Sequence, residues 1–165
     1  MFNHKLQTRQ GFGDCVIYSL VNLNLGTYKL IQDEIRELKH ELATRLFKIS
    51  YKEYYVKHGF GTPEFFIPSY LHSRGISFEK VKNIDKNFHG LVLFLDPKKE
   101  RHAAACRNNF ILDSHHPKPI PIKKFSTETL GNYLIDSGFC RNKLEQVNTA
   151  RKKILKDRLP KLKVT

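Results

Sequence analysis

The 165-residue chain has no tryptophan, one methionine and three cysteines. An odd number of cysteines without paired spacing excludes a disulfide framework, so Cys15, Cys106 and Cys140 read as free thiols of a reducing compartment. No stretch approaches the roughly 18 to 20 consecutive apolar residues that span a bilayer, and a membrane-spanning helix is not expected. Met1-Phe-Asn-His-Lys runs directly into polar residues and lacks the apolar centre of a cleaved secretion signal. The expected location is therefore cytoplasmic or inside a virus particle. Acidic residues are scarce, 16 against 29 Lys and Arg, giving a formal charge of +13. Over half of it falls in residues 140 to 165, where nine basic residues meet only Glu145 and Asp157. Such a tail suits nucleic acid or an acidic partner, and equally suits a solvated, partly helical extension.

Apolar residues make up 40% of the chain and include 12 Phe and 7 Tyr, enough for one folded domain with a real core. The natural boundary falls near Gly138, separating a domain over 1–138 from a basic tail over 139–165. From Asp14 to about Asn24, Val16, Ile17, Leu20, Val21 and Leu23 cover more than one helical face, which predicts a centrally buried helix ended by Gly26. Residues 28–47 predict an amphipathic helix through Leu30, Ile31, Ile35, Leu38, Leu42 and Leu46. Residues 48–61 read as a short helix or loop. Thr62-Pro63-Glu64 opens a further helix through Leu71, closed by Gly75. The periodicity then changes to strands at Ile76–Val81 and Leu91–Leu95, followed by a hairpin of His102–Cys106 and Phe110–Asp113. A helix is predicted over Thr127–Ile135 and another over Asn142–Asp157, before Pro160. Helices precede strands, so the fold class is α+β, with N-terminal helices packed on a C-terminal antiparallel sheet.

Two segments carry chemistry. In Gln10-Gly-Phe-Gly-Asp-Cys15 a thiol stands where a glycine-rich loop enters the buried helix. Unpaired N–H groups and partial positive charge at a helix start bias such a thiol towards thiolate, and Asp14 is placed to cap that start. In the hairpin, an Asn108-Asn109 type I′ turn pairs Arg107 with Phe110 and Cys106 with Ile111, and sets Ala104 opposite Asp113. Alternation then projects His102, Ala104, Cys106, Ile111 and Asp113 to one side, and Ala103, Ala105, Phe110 and Leu112 to the other. The expectation is that His102 and Asp113 meet on the face that the Cys15 helix covers. The run Ala103-Ala104-Ala105 gives that helix room to approach.

On Gln10, Cys15, His102 and Asp113, in that order, the chain resembles the papain-like cysteine peptidases, especially their C39-like and Josephin-like branches. The likeness covers residues 7–117, with residues 27–90 matching as helices followed by a strand. Gln-x4-Cys ahead of Ser19-Leu20-Val21-Asn22-Leu23 is similar to the Josephin start, and the His-strand-turn-strand-Asp segment to the C39 group. Many relatives carry His-Trp, whereas Ala103 follows His102 here. The resemblance implies a papain-like fold and a thiol hydrolase acting on a protein or peptide, whether peptidase, deubiquitinase or deamidase, without a cofactor. It also implies the roles: Cys15 as nucleophile, His102 as base and then acid, Asp113 as the group orienting the imidazole, and Gln10 as oxyanion donor beside the Cys15 backbone N–H.

Rivals remain at the level of the sequence. Asp96 competes with Asp113 for the third position, and His115 falls on the site face opposite His102. Cys106, His115 and His116 hint at zinc, but their spacing matches no familiar ligand set. The alternative to an enzyme is a noncatalytic papain-like virion or nucleic-acid-binding protein using residues 140–165, and beyond that a folded interaction module with no site.

Overall fold

A computed structural model describes residues 14–45, 48–50, 52–53, 62 and 64–138. Three helices come first: α1 (Cys15–Asn22), α2 (Tyr28–Arg45) and α3 (Phe66–Ser73). Each boundary has a local cause. α1 closes on Asn24, which takes a left-handed φ of 60°, with Asn24 N–H donating to the Val21 carbonyl and Leu25 N–H to the Leu20 carbonyl. Asparagine tolerates that backbone, so the left-handed stop falls at Asn24, two residues before the predicted Gly26. α3 ends by the same device at Gly75, φ 67°, as the sequence predicts. At the start of α2, Thr27 Oγ1 accepts the Leu30 N–H.

Six strands follow: β1 (Phe78–Val81), β2 (Gly90–Leu95), β3 (Arg101–Arg107), β4 (Phe110–Leu112), β5 (Ile120–Pro121) and β6 (Thr129–Ile135). They form one antiparallel sheet in the order β1-β6-β2-β3-β4-β5, so the architecture is α+β. α1, α2 and α3 pack on one face, where Val16, Ile17, Leu20, Ile31, Ile35 and Ile67 meet Leu91, Leu93, Ala103, Ala105, Leu112 and Tyr133. The other face, with Val92, Phe94, Ala104, Cys106 and Ile111, is covered by connecting segments through Phe88, Ile122 and Phe125. No helix among the described residues is long and apolar enough to cross a membrane.

One element differs in kind from its prediction. Thr127–Ile135 is not a helix: its core is strand β6, hydrogen-bonded between β1 and β2. Leu130, Leu134 and Ile135 mimic helical spacing, but Gly131 and Asn132 are poor helix formers and the alternate residues Gly131, Tyr133 and Ile135 are all buried. Gly90 shows how closely these strands approach, because a Cβ there would lie 1.9 Å from the Tyr133 carbonyl oxygen. In α2, Leu30 is exposed, whereas Glu34 and Lys39 are buried on the helix's inner side. Glu34 is matched by Arg74 at 2.8 Å and by the Tyr70 hydroxyl, which donates to it at 3.3 Å. The predicted tail helix Asn142–Asp157, the 139–165 tail and most of residues 48–61 lie outside the described residues.

Candidate active site

The hairpin forms in the expected register. Asn108 and Asn109 take φ of 51° and 66°, Arg107 pairs with Phe110 and Cys106 with Ile111, as a two-residue turn with both central residues left-handed demands. His102 and Asp113 accordingly share a face and bond directly, His102 Nε2 to Asp113 Oδ1 at 2.6 Å, with both side chains buried.

That face is not the one beneath α1. The odd-numbered Ala103 and Ala105 contact the helix, while Ala104 points to the opposite side with His102. The expectation of a common face is thus corrected, because strand alternation gives α1 and the His–Asp pair opposite sides of β3. The thiol and the ring are neighbours all the same: Cys15, first residue of α1, and His102, the second residue of β3, line the same cavity, and Cys15 is among the groups that raise the imidazole. They meet around the end of the strand. Nε2 is engaged by Asp113, which leaves Nδ1 as the nitrogen for the thiol.

Burial opposes charge on His102, but the hydrogen bonds to Asp113 and Cys15 and their negative charges outweigh it, holding the imidazole at about 10. Burial likewise opposes charge on Asp113. The His102 hydrogen bond and charge, the His115 N–H and the His116 charge prevail there, keeping the carboxyl below the usual carboxylate range. The arrangement brings together a cysteine sulfur, an imidazolium and a carboxylate.

Asp14 does not cap α1 through its side chain, as the sequence predicts. Its Oδ2 accepts the Tyr28 hydroxyl at 2.7 Å instead. Asp96 fails as the rival third residue because its Oδ1 accepts the Glu100 N–H at 2.8 Å, closing the β2–β3 turn. Cys106 lies away from the site, its thiol pushed up to about 12 by burial and directed at the Phe88 carbonyl. Gln10 lies outside the described residues, as does Cys140.

One neighbour, Phe94, escapes the sequence reading, whereas His115 is on the site face as expected. Phe94 presents its edge to His102 at 5.3 Å, a contact that follows once β2 pairs with β3 and sets Phe94 opposite His102. His115 stacks on the same imidazole. Two cavities flank the imidazole. One of about 80 Å³ adjoins Cys15 and is walled by Val16, Ile67, Leu93 and Leu130, with Glu64 and Arg101 among its polar lining. The other, about 830 Å³, borders Asp113, His115 and His116.

One donor atom each from His102, Asp113 and His115 lies within 4.8 Å of the others. The two rings are nearly parallel, at 18°, so their in-plane lone pairs run side by side and do not converge on one point. That geometry fits acid–base chemistry better than a shared metal ion. No protein-family model and no curated protein matches the chain.

Proposed function

We propose that the chain is a thiol hydrolase of papain-like design, a cysteine peptidase or a related acyl-transfer enzyme acting on a protein or peptide. The single observation that carries this reading is that the buried imidazole bonded to Asp113 lines one cavity with Cys15. The order Gln10, Cys15, His102, Asp113, shared with the papain-like peptidases it resembles, supports it further.

In this mechanism the Cys15 proton resides on His102 before attack, and the thiolate sulfur forms a bond to the substrate carbonyl carbon as the carbonyl π electrons move onto oxygen. The oxyanion that develops is met by the Cys15 backbone N–H and the Gln10 side-chain amide. When the intermediate collapses the carbon–nitrogen bond breaks, and the leaving amine departs with the proton from His102. Water then attacks the thioester, giving its proton to His102, and the carboxylic acid product leaves as the Cys15–His102 ion pair is restored. Asp113 keeps the ring turned towards Cys15 and offsets its positive charge throughout. The cavity beside Cys15, with its aliphatic walls, receives part of the acyl side of the substrate.

Iodoacetamide labelling followed by peptide mapping tests the reading without a known substrate. Cys15 is expected to label about tenfold or more faster than the same cysteine in the denatured chain at neutral pH, and His102→Gln to remove that advantage. Cys106, buried with a raised thiol, serves as the slow internal control. Labelling of Cys15 at the denatured rate, unaffected by His102→Gln, would sink the proposal.

A further inference from the structure

The ring of His115 lies flat on that of His102, with centroids 4.3 Å apart. Its backbone N–H donates to Asp113 Oδ1 at 2.9 Å, the same oxygen that His102 Nε2 engages. One turn, closed by the His116 N–H on the Asp113 carbonyl at 3.0 Å, therefore supplies both the counter-ion of the base and a ring that covers it. The outer side of His115 is exposed and borders the larger cavity.

Burial and the charge of His102 push the His115 imidazole below its ordinary value, against the pulls of Asp113 and Asp96. At neutral pH it is uncharged. An uncharged ring laid on an imidazolium offers a π face to a cation, whereas a charged one would set two cations at stacking distance. The other groups facing the pair are Cys15 and His116. Lys98, Glu100 and Lys124 line the cavity beyond, and Arg101 lines the one beside Cys15.

We propose that His115 is a positioning residue for His102: its neutral ring holds the imidazolium form against Asp113 and keeps the water of the larger cavity off the pair. The role takes its catalytic meaning from the Cys15–His102 reading above, but the physical claim concerns His102, Asp113 and His115 alone.

NMR titration of the histidine ring signals tests it in a Cys15→Ala background, where the thiol makes no contribution. His115→Ala is expected to lower the His102 midpoint by about one pH unit, a tenfold loss of proton affinity, while His115→Phe stays within a few tenths of the parent. A midpoint unchanged or raised in His115→Ala overturns the proposal, and so does an equal fall in both variants. Because His115 is exposed, neither change threatens the fold. The labelling of Cys15 in the otherwise native chain reports separately on the thiol. A slow Cys15 alongside a shifted His102 would sink the hydrolase and leave the role of His115 standing.

Discussion

At pH 7 the imidazole of His102 and the carboxylate of Asp113 are both ionised although both are buried, since each charge holds the other in place. Removing one partner of a buried ion pair costs about 3–5 kcal/mol when the survivor cannot neutralise. A histidine can shed its proton, so Asp113→Ala is expected to cost nearer ~2–3 kcal/mol at pH 7, read from the midpoint of urea unfolding. The pH dependence has a definite sign on each side. The raised His102 contributes stability that is fully present below its unfolded value of about 6.5 and is lost as pH rises through about 10. The lowered Asp113 contributes stability present above its unfolded value of about 3.9 and lost as pH falls through its lowered folded value. The difference between parent and Asp113→Ala should therefore plateau between those unfolded values and shrink outside them. Cys15, His102 and Asp113 were legible as letters because each stands at a recognisable local position: a helix start, a strand start and a strand end. His115 was legible only as a residue on the right side of the sheet. Its stacking depends on the turn after Asp113, and no periodicity announces that.

Among the elements, the hairpin decides the site. Its two asparagines fix an even loop, and evenness alone puts Asp113 on the side of His102. Inserting one glycine between Asn108 and Asn109 should turn Asp113 to the face of Ala103, or leave the hairpin unpaired. Either way Cys15 should label with iodoacetamide at the denatured rate. The turn chemistry made this register derivable to the residue. The face presented to α1 was not legible, because Cys15 sits at the helix's first residue and reaches the histidine around the strand's end, and strand alternation says nothing of that route. β6 was misread for a different reason. Leu130, Leu134 and Ile135 have helix-like spacing, and the preference of Gly131 and Asn132 for other structure was outvoted until the neighbouring strands were known. Gly131 also has Glu64 Oε1 3.0 Å from where a Cβ would stand. Glu64 in turn accepts the Tyr133 hydroxyl at 3.1 Å and lines the Cys15 cavity, a constraint from residues distant in sequence.

For the whole molecule, the sheet separates two kinds of cover: α-helices on one side and connecting segments, with a short 3-10 turn at Ile122–Lys124, on the other. Order of elements and composition were enough to read the α+β class. The strand order was not readable, since it places first and last strands side by side. Charge is the other molecular property with a consequence. Residues 140–165 carry +7 of the +13, so any binding of a nucleic acid by this chain should be centred there. Deleting that segment is expected to abolish retention on heparin or single-stranded DNA at low salt and to leave Cys15 labelling unchanged. In the intact chain the affinity should fall steeply between about 50 and 200 mM salt, as phosphate contacts require. Retention that survives both the deletion and high salt would place the binding surface elsewhere.

The position of β6 has a meaning in time as well as in space. A chain made from its N-terminus presents β1, β2 and the whole His102–Asp113 hairpin before the strand that joins β1 to β2 exists. The hairpin can close early, since its partners are adjacent, but β1 has no neighbour in the sheet until Ile135 has been added. Birth order therefore makes the last described strand the keystone of the first. A nascent chain halted before Thr129 would hold His102 and Asp113 without the completed sheet that supports them.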